Sequence, residues 1–124
     1  MLPDQKSAHD VVIACNPNAI TADQRDQHEA AVRALFAAVQ QVQALPDGYA
    51  FRLPTTSAMV IGVAEFIANE RLCCPFFNFA LVAEPNAGPL WLRLTGGEGV
   101  KELIRSEFSA ILKPAHIDAG ELQA

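Results

Sequence analysis

Hydrophobic and polar positions alternate between two periods along the chain, and each change of period marks an element. Val11-Val12-Ile13-Ala14-Cys15 is a continuous apolar run rich in β-branched residues, closed by Asn16-Pro17-Asn18, which predicts a buried first strand. Thr21 and Gln24 stand at capping-box spacing, and beyond them Val32, Leu35, Phe36, Val39 and Val42 fall on one helical stripe. This pattern predicts a helix that runs until just before Pro46. His28 lies among its polar residues without an evident partner.

After the Asp47-Gly48 turn, Tyr49, Phe51 and Leu53 alternate with Ala50 and Arg52, the two-residue period of a strand. Thr55, Thr56 and Ser57 offer N-caps to a second helix with a stripe of Met59, Val60, Val63, Phe66 and Ile67, and Glu65, Asn69 and Glu70 off it. Pro75 lacks an amide donor and forces Cys74 out of helical geometry, so this helix ends at Leu72 or Cys73. Two further alternating runs follow, Phe77 to Val82 and Leu90 to Leu94, joined through Pro85-Asn86-Ala87-Gly88 as a hairpin. Capping-box spacing at Thr95-Gly96-Gly97-Glu98 then introduces a last helix, with Val100, Leu103, Ile104, Phe108, Ile111 and Leu112 on its apolar side and Pro114 as its stop.

The predicted order is βαβαββα, an α+β two-layer sandwich with a four-stranded mixed sheet and helices mainly on one face. Single-helix crossovers make its first three strands parallel and the fourth antiparallel to the third. The other face carries Arg52, Asn78, Trp91 and Arg93 beside Ala50, Ala80 and Val82, a surface suited to solvent, a ligand or a second subunit. One domain over residues 1–124 is expected, loosely ordered at 1–9 and 115–124.

Composition narrows the function classes. The net charge of −5, from 14 acids against nine bases, argues against nucleic acid as a partner, because phosphate binding needs a basic surface. The chain holds no apolar run long enough for a spanning helix, and its first ten residues are too polar for a signal peptide. The expectation is a cytoplasmic protein that binds neither membrane nor nucleic acid. Three cysteines, two of them adjacent, suggest reduced thiols and no disulfide framework.

Cys73 and Cys74 carry the candidate chemistry. Two neighbouring thiolates suit soft metals such as zinc, copper(I), mercury or trivalent arsenic, and both are candidate metal ligands. Zinc sites, however, usually space their cysteines two to four residues apart, whereas consecutive helical residues point roughly 100° apart. The competing reading makes both sulfurs small buried hydrophobes. A helix C-terminus also disfavours thiolate. In the parallel arrangement Cys15 and the pair fall at opposite ends of the sheet, about 15 to 20 Å apart, which argues against a three-cysteine site. Glu70, Arg52, Trp91 and Arg93 form a candidate surface site. No catalytic or cofactor-binding residue is assigned, since no serine-centred, H-E-x-x-H or complete G-x-G-x-x-G pattern occurs.

Glu70-Arg71-Leu72-Cys73-Cys74-Pro75-Phe76-Phe77 resembles a family of small uncharacterised bacterial proteins with an E-R-x-C-C-P-F signature. The likeness extends through Leu45-Pro46-Asp47-Gly48 and Leu92-Arg93-Leu94-Thr95-Gly96, and so spans roughly residues 45 to 108. Some members of that family are encoded near heavy-metal resistance genes. The resemblance therefore implies a soft-metal or thiol-redox role for Cys73 and Cys74, with Glu70 and Pro75 as further signature positions. Two non-enzymatic readings stay open beside a third, a small-molecule enzyme that uses Glu70 with a cysteine. One is a small accessory or binding protein that handles a soft metal or an oxidant at the cysteine pair. The other is a non-catalytic interaction module, dimeric through the Trp91 face, with both cysteines as packing residues.

Overall fold

The computed structural model describes residues 16–108. The strand expected over 11–15, the loosely held ends at 1–9 and 115–124, and the close of the last helix around Ile111 and Leu112 lie outside the described residues. Within them, a short 3-10 turn at Pro17–Ala19 leads into α1 (Ala22–Ala37), β1 (Gln41–Leu45), β2 (Gly48–Leu53), α2 (Ser57–Cys73), β3 (Asn78–Ala83), β4 (Leu90–Thr95) and α3 (Val100–Phe108). The architecture is α+β.

The Thr21 capping box forms as its spacing predicts: the Thr21 hydroxyl accepts from the Gln24 amide while the Gln24 side chain accepts from the Thr21 amide. The helix then stops nine residues before Pro46, with Ala38 as its C-cap. The expected longer helix is corrected by β1, in which Gln41, Val42, Gln43 and Ala44 alternate exposed and inward positions. Val42 fits a helical stripe and a strand equally well in sequence. The hairpin decides, because Pro46-Asp47 is a two-residue turn that pairs Leu45 with Gly48 and Val42 with Phe51.

The sheet order is β1-β2-β4-β3, with every neighbouring pair antiparallel. The expected mixed sheet is thus corrected. The α2 crossover does join two strands of the same direction, but β4 inserts between β2 and β3 and pairs antiparallel with both. The register stacks Tyr49, Leu94 and Phe79 in one inward row and Phe51, Leu92 and Leu81 in the next. Arg52, Trp91 and Val82 form an outward row, as do Ala50, Arg93 and Ala80. The two faces therefore follow from the period-two pattern.

The core is aromatic where helices meet sheet. Phe36 of α1 lies 5.1 Å from Phe51, 5.8 Å from Phe66 and 4.5 Å from Phe108, centroid to centroid, so one ring ties α1 to β2, α2 and α3. Gly48 admits no side chain, since a Cβ there would come within 1.9 Å of the Leu94 carbonyl oxygen. The last helix begins later than the Thr95-Glu98 spacing predicts. Thr95 ends β4, and Gly99, at φ 89°, turns the chain into α3.

Candidate functional site

The apolar stripe of α2 is Val63, Phe66, Glu70 and Cys73, spaced by three and four residues. Glu70 therefore belongs to the buried face, which corrects its expected place off the stripe and at the protein surface. Its residue exposure is 7%, matching that of His28 on α1. Val60, expected on the stripe, is exposed.

The two buried polar residues among those described answer one another. His28 Nε2 lies 2.7 Å from Glu70 Oε1, a hydrogen bond between helices in a water-poor setting. Phe66 packs against the imidazole at a centroid distance of 6.0 Å and an interplanar angle of 25°. His28 Nδ1 is enclosed and has no partner among the described residues. Sequence reasoning missed this pair. The available signal was periodicity: His28, Val32, Leu35 and Phe36 continue one helical stripe, and Glu70 continues that of Val63 and Phe66.

Glu70 faces the cysteine pair through its second oxygen, with Oε2 3.6 Å from Cys74 Sγ. Pro75 ends α2 as the sequence predicts, and the Cys74 amide closes the last turn on the Glu70 carbonyl at 2.7 Å. Both cysteines are buried, Cys73 at 6% and Cys74 at 1% exposure. Cys74 is disulfide-bonded whereas Cys73 is a free thiol. This corrects the expectation of a reduced pair, and a disulfide sulfur has no proton to donate to Glu70. Burial pushes the Cys73 thiol above its ordinary pKa, and the neighbouring Glu70 carboxylate adds to the rise while Arg25 opposes it.

Cys15 lies outside the described residues, but its neighbour does not. The Asn16 amide donates to the Cys73 carbonyl at 2.6 Å, so the chain reaches the corner immediately after Cys15. The opposite-ends argument relied on parallel strands, which the described sheet does not have. A cavity of about 270 Å³ lies against this corner, with His28, Glu70, Cys73 and Cys74 in its wall. A second, of about 470 Å³, opens between α1 and α2 on the other side of His28.

Among the described residues no group of three or more His, Cys, Asp or Glu side chains gathers around one point. The candidate surface site divides as well. Arg52 and Trp91 are cross-strand neighbours and Arg93 shares their face, whereas Glu70 is buried among the helices. Trp91 Nε1 donates to Glu84 Oε2 at 2.8 Å, and Arg52 Nε is enclosed without a partner among the described residues. No helix among the described residues is long and apolar enough to cross a membrane. Comparison with family models, curated proteins and solved structures finds no match to this chain.

Proposed function

We propose that the Cys73-Cys74 corner is the thiol–disulfide centre of a small accessory or binding protein that responds to oxidants. One observation carries this reading: an oxidised Cys74 and a reduced Cys73 stand next to each other, with the buried His28–Glu70 pair against them. A packing role needs neither the oxidation nor the acid. Ionised or hydrogen-bonded groups in a core lose solvation, and their convergence on a redox-capable sulfur gives them a task beyond filling space. The Glu70 carboxylate disfavours negative charge on Cys74, so it resists formation of the Cys74 thiolate and tunes the potential of the bond.

The soft-metal form of the reading belongs to the reduced protein, in which both sulfurs are thiols and a thiophilic ion finds two donors at a fixed turn. The test is a redox titration followed by mass-spectrometric peptide mapping, for which Cys15 is the remaining cysteine of the chain. A reversible two-electron transition at Cys74 supports the reading, and a Cys74 that stays reduced under oxidising buffers refutes it. Titration of the reduced protein with mercury, arsenite, copper(I) and zinc checks the metal form, and affinities unchanged in Cys73→Ser/Cys74→Ser rule it out.

A second reading, a non-catalytic interaction module dimeric through the Trp91 face, is favoured by an enclosed Arg52 Nε that has no partner among the described residues and stands beside Trp91, with Ala80 and Val82 adjoining. Sedimentation of the protein and of Trp91→Lys decides it. A monomer at millimolar concentration ends that reading.

A further inference from the structure

We propose that the outer face of α1 and α2 is a homodimer interface, in which α2 of each copy lies on α1 of the other about a two-fold axis parallel to the helices. The inference is independent of the cysteine corner and of the Trp91 face. It begins with α2, whose 17 residues include only three charged ones, Glu65, Glu70 and Arg71. Val63, Phe66, Glu70 and Cys73 face the core, yet the opposite side is apolar too. Val60, Ile61 and Leu72 are the large hydrophobics exposed among the described residues, at 38%, 61% and 44%, and all three belong to this helix. A helix that is apolar all round is one that is covered all round.

The neighbouring surface continues this composition. Ala58 and Gly62 of α2 line the cavity of about 470 Å³ together with Ala31 and Ala34 of α1, and Ala30 and Ala68 are exposed beside it. Depletion of charge marks the centre of an interface. Size decides how much of the face is needed. Helices of 16 and 17 residues are about 25 Å long and together about 20 Å wide, a projected footprint of roughly 500 Å². The corrugated accessible surface exceeds its projection and approaches the roughly 800 Å² per partner of a stable interface, whereas α2 alone offers about half of it. The surface that matches this one in length, width and neutrality is the same helix pair in a second copy, and the contact closes both cavities.

Charge selects the axis. The two helices run antiparallel, since the Asn16 amide ahead of α1 bonds to Cys73 at the end of α2, and the His28–Glu70 bond fixes their common level. One residue beyond that bond, Arg71 is level with Gln27 and adjoins the level of Asp26. Arg71 shares its side of α2 with Ala64, seven residues earlier, and neither Arg71 nor Asp26 lines the groove, so the two stand at opposite outer margins of the face. Within one copy the width of the face separates them. A two-fold parallel to the helices keeps every level and lays the outer margin of α2 on the outer margin of the other copy's α1, so Arg71 meets Asp26 of the second copy, and the pair occurs twice. The same axis sets Ala68 against Ala30 of the second copy, where small side chains permit close approach.

Sedimentation equilibrium of the full-length protein under reducing conditions tests the arrangement. The wild type and Trp91→Lys are expected to dimerise alike, whereas Ile61→Lys on α2 or Ala30→Lys on α1 weakens the dimer at least about tenfold. Arg71→Glu and Asp26→Arg each weaken it about fivefold, and the double reversal Arg71→Glu/Asp26→Arg restores it. Ile61, Ala30, Arg71 and Asp26 are all exposed, so these variants keep the fold, which circular dichroism verifies. A monomer throughout, a double reversal no tighter than its singles, or a dimer that survives Ile61→Lys and is lost in Trp91→Lys overturns the proposal.

Discussion

His28→Leu tests whether the buried pair is energetically coupled. The substitution keeps a side chain of similar bulk and removes the imidazole, so its effect comes chiefly from the 2.7 Å hydrogen bond to Glu70 and not from a void. Glu70 is then left in a wall of Phe66, Cys73 and Cys74, and the disulfide-bonded Cys74 sulfur has no hydrogen to give it. A charge-assisted hydrogen bond contributes about 1.5 to 3 kcal/mol, and stranding a buried charge costs about 3 to 5 kcal/mol. We expect His28→Leu to lower the stability of the oxidised protein by about 3 kcal/mol. Glu70→Leu leaves the imidazole without its hydrogen bond at Nε2 and costs about 1 to 3 kcal/mol.

The double variant separates this account from simple packing. Leu at both positions extends the stripes of α1 and α2 into one apolar contact, and replacing a buried polar pair by hydrophobes is commonly neutral or stabilising. It should lie within about 1 kcal/mol of the wild type, so the coupling energy of the cycle is at least about 3 kcal/mol. Urea unfolding under non-reducing conditions, with the disulfide state verified by mass and an unchanged m-value, measures all four corners. A double variant that loses the sum of the two single losses refutes the reasoning.

Stability should fall as the solution becomes alkaline. The Cys73 and Tyr49 pKa values are both raised in the fold, chiefly by burial, so above each unfolded-state pKa the unfolded chain binds fewer protons and gains relative to the native state. Their contribution is complete below about pH 8.5 and is lost as pH rises through the Cys73 and then the Tyr49 range; Cys73→Ala should remove the first part of that loss in urea titrations from pH 7 to 11. The same burial makes Cys73 slow towards an aromatic disulfide reagent, with labelling at least 100-fold faster in denaturant; equal rates in both conditions contradict the assigned environment. Gly48→Ala should destabilise by about 3 kcal/mol or more because its Cβ meets the Leu94 carbonyl, while Gly62→Ala, with nothing within 4 Å of the new Cβ, should stabilise α2 by about 0.5 to 1 kcal/mol. Thermal unfolding of both glycine variants checks these opposite signs.

How much the chain discloses in sequence depends on whether a single element or a pair of elements decides. Tyr49, Phe51, Leu90, Leu92 and Leu94 alternate strictly, and their inward face emerges as the period-two rule predicts. Pro75 stops α2 by local stereochemistry, and that end too was legible. Val42 was not, because its helical and strand positions differ only through pairing with Phe51, a partner in another element. The direction of the sheet failed for the same reason: the insertion of β4 between β2 and β3 leaves no mark in the residues of α2.

The site follows this division. Cys73 and Cys74 announce themselves as a doublet, but the polar pair against them comes from positions 42 residues apart in the chain, His28 and Glu70, whose polarity disguises their places on the buried stripes. A histidine or a glutamate on an apolar stripe is costly in isolation, so each carries information only when the other is considered with it. Spacing along α1 and α2 puts both on inward faces, and a search for two oppositely ionising residues at inward positions of neighbouring helices finds this pair without coordinates. The contrast between the cysteines has the same origin. They are adjacent in sequence and nearly equal in burial, yet the turn at Pro75 sends Cys74 out of the helix while Cys73 remains its last residue. One helix end thus sets a disulfide-bonded sulfur and a free thiol side by side.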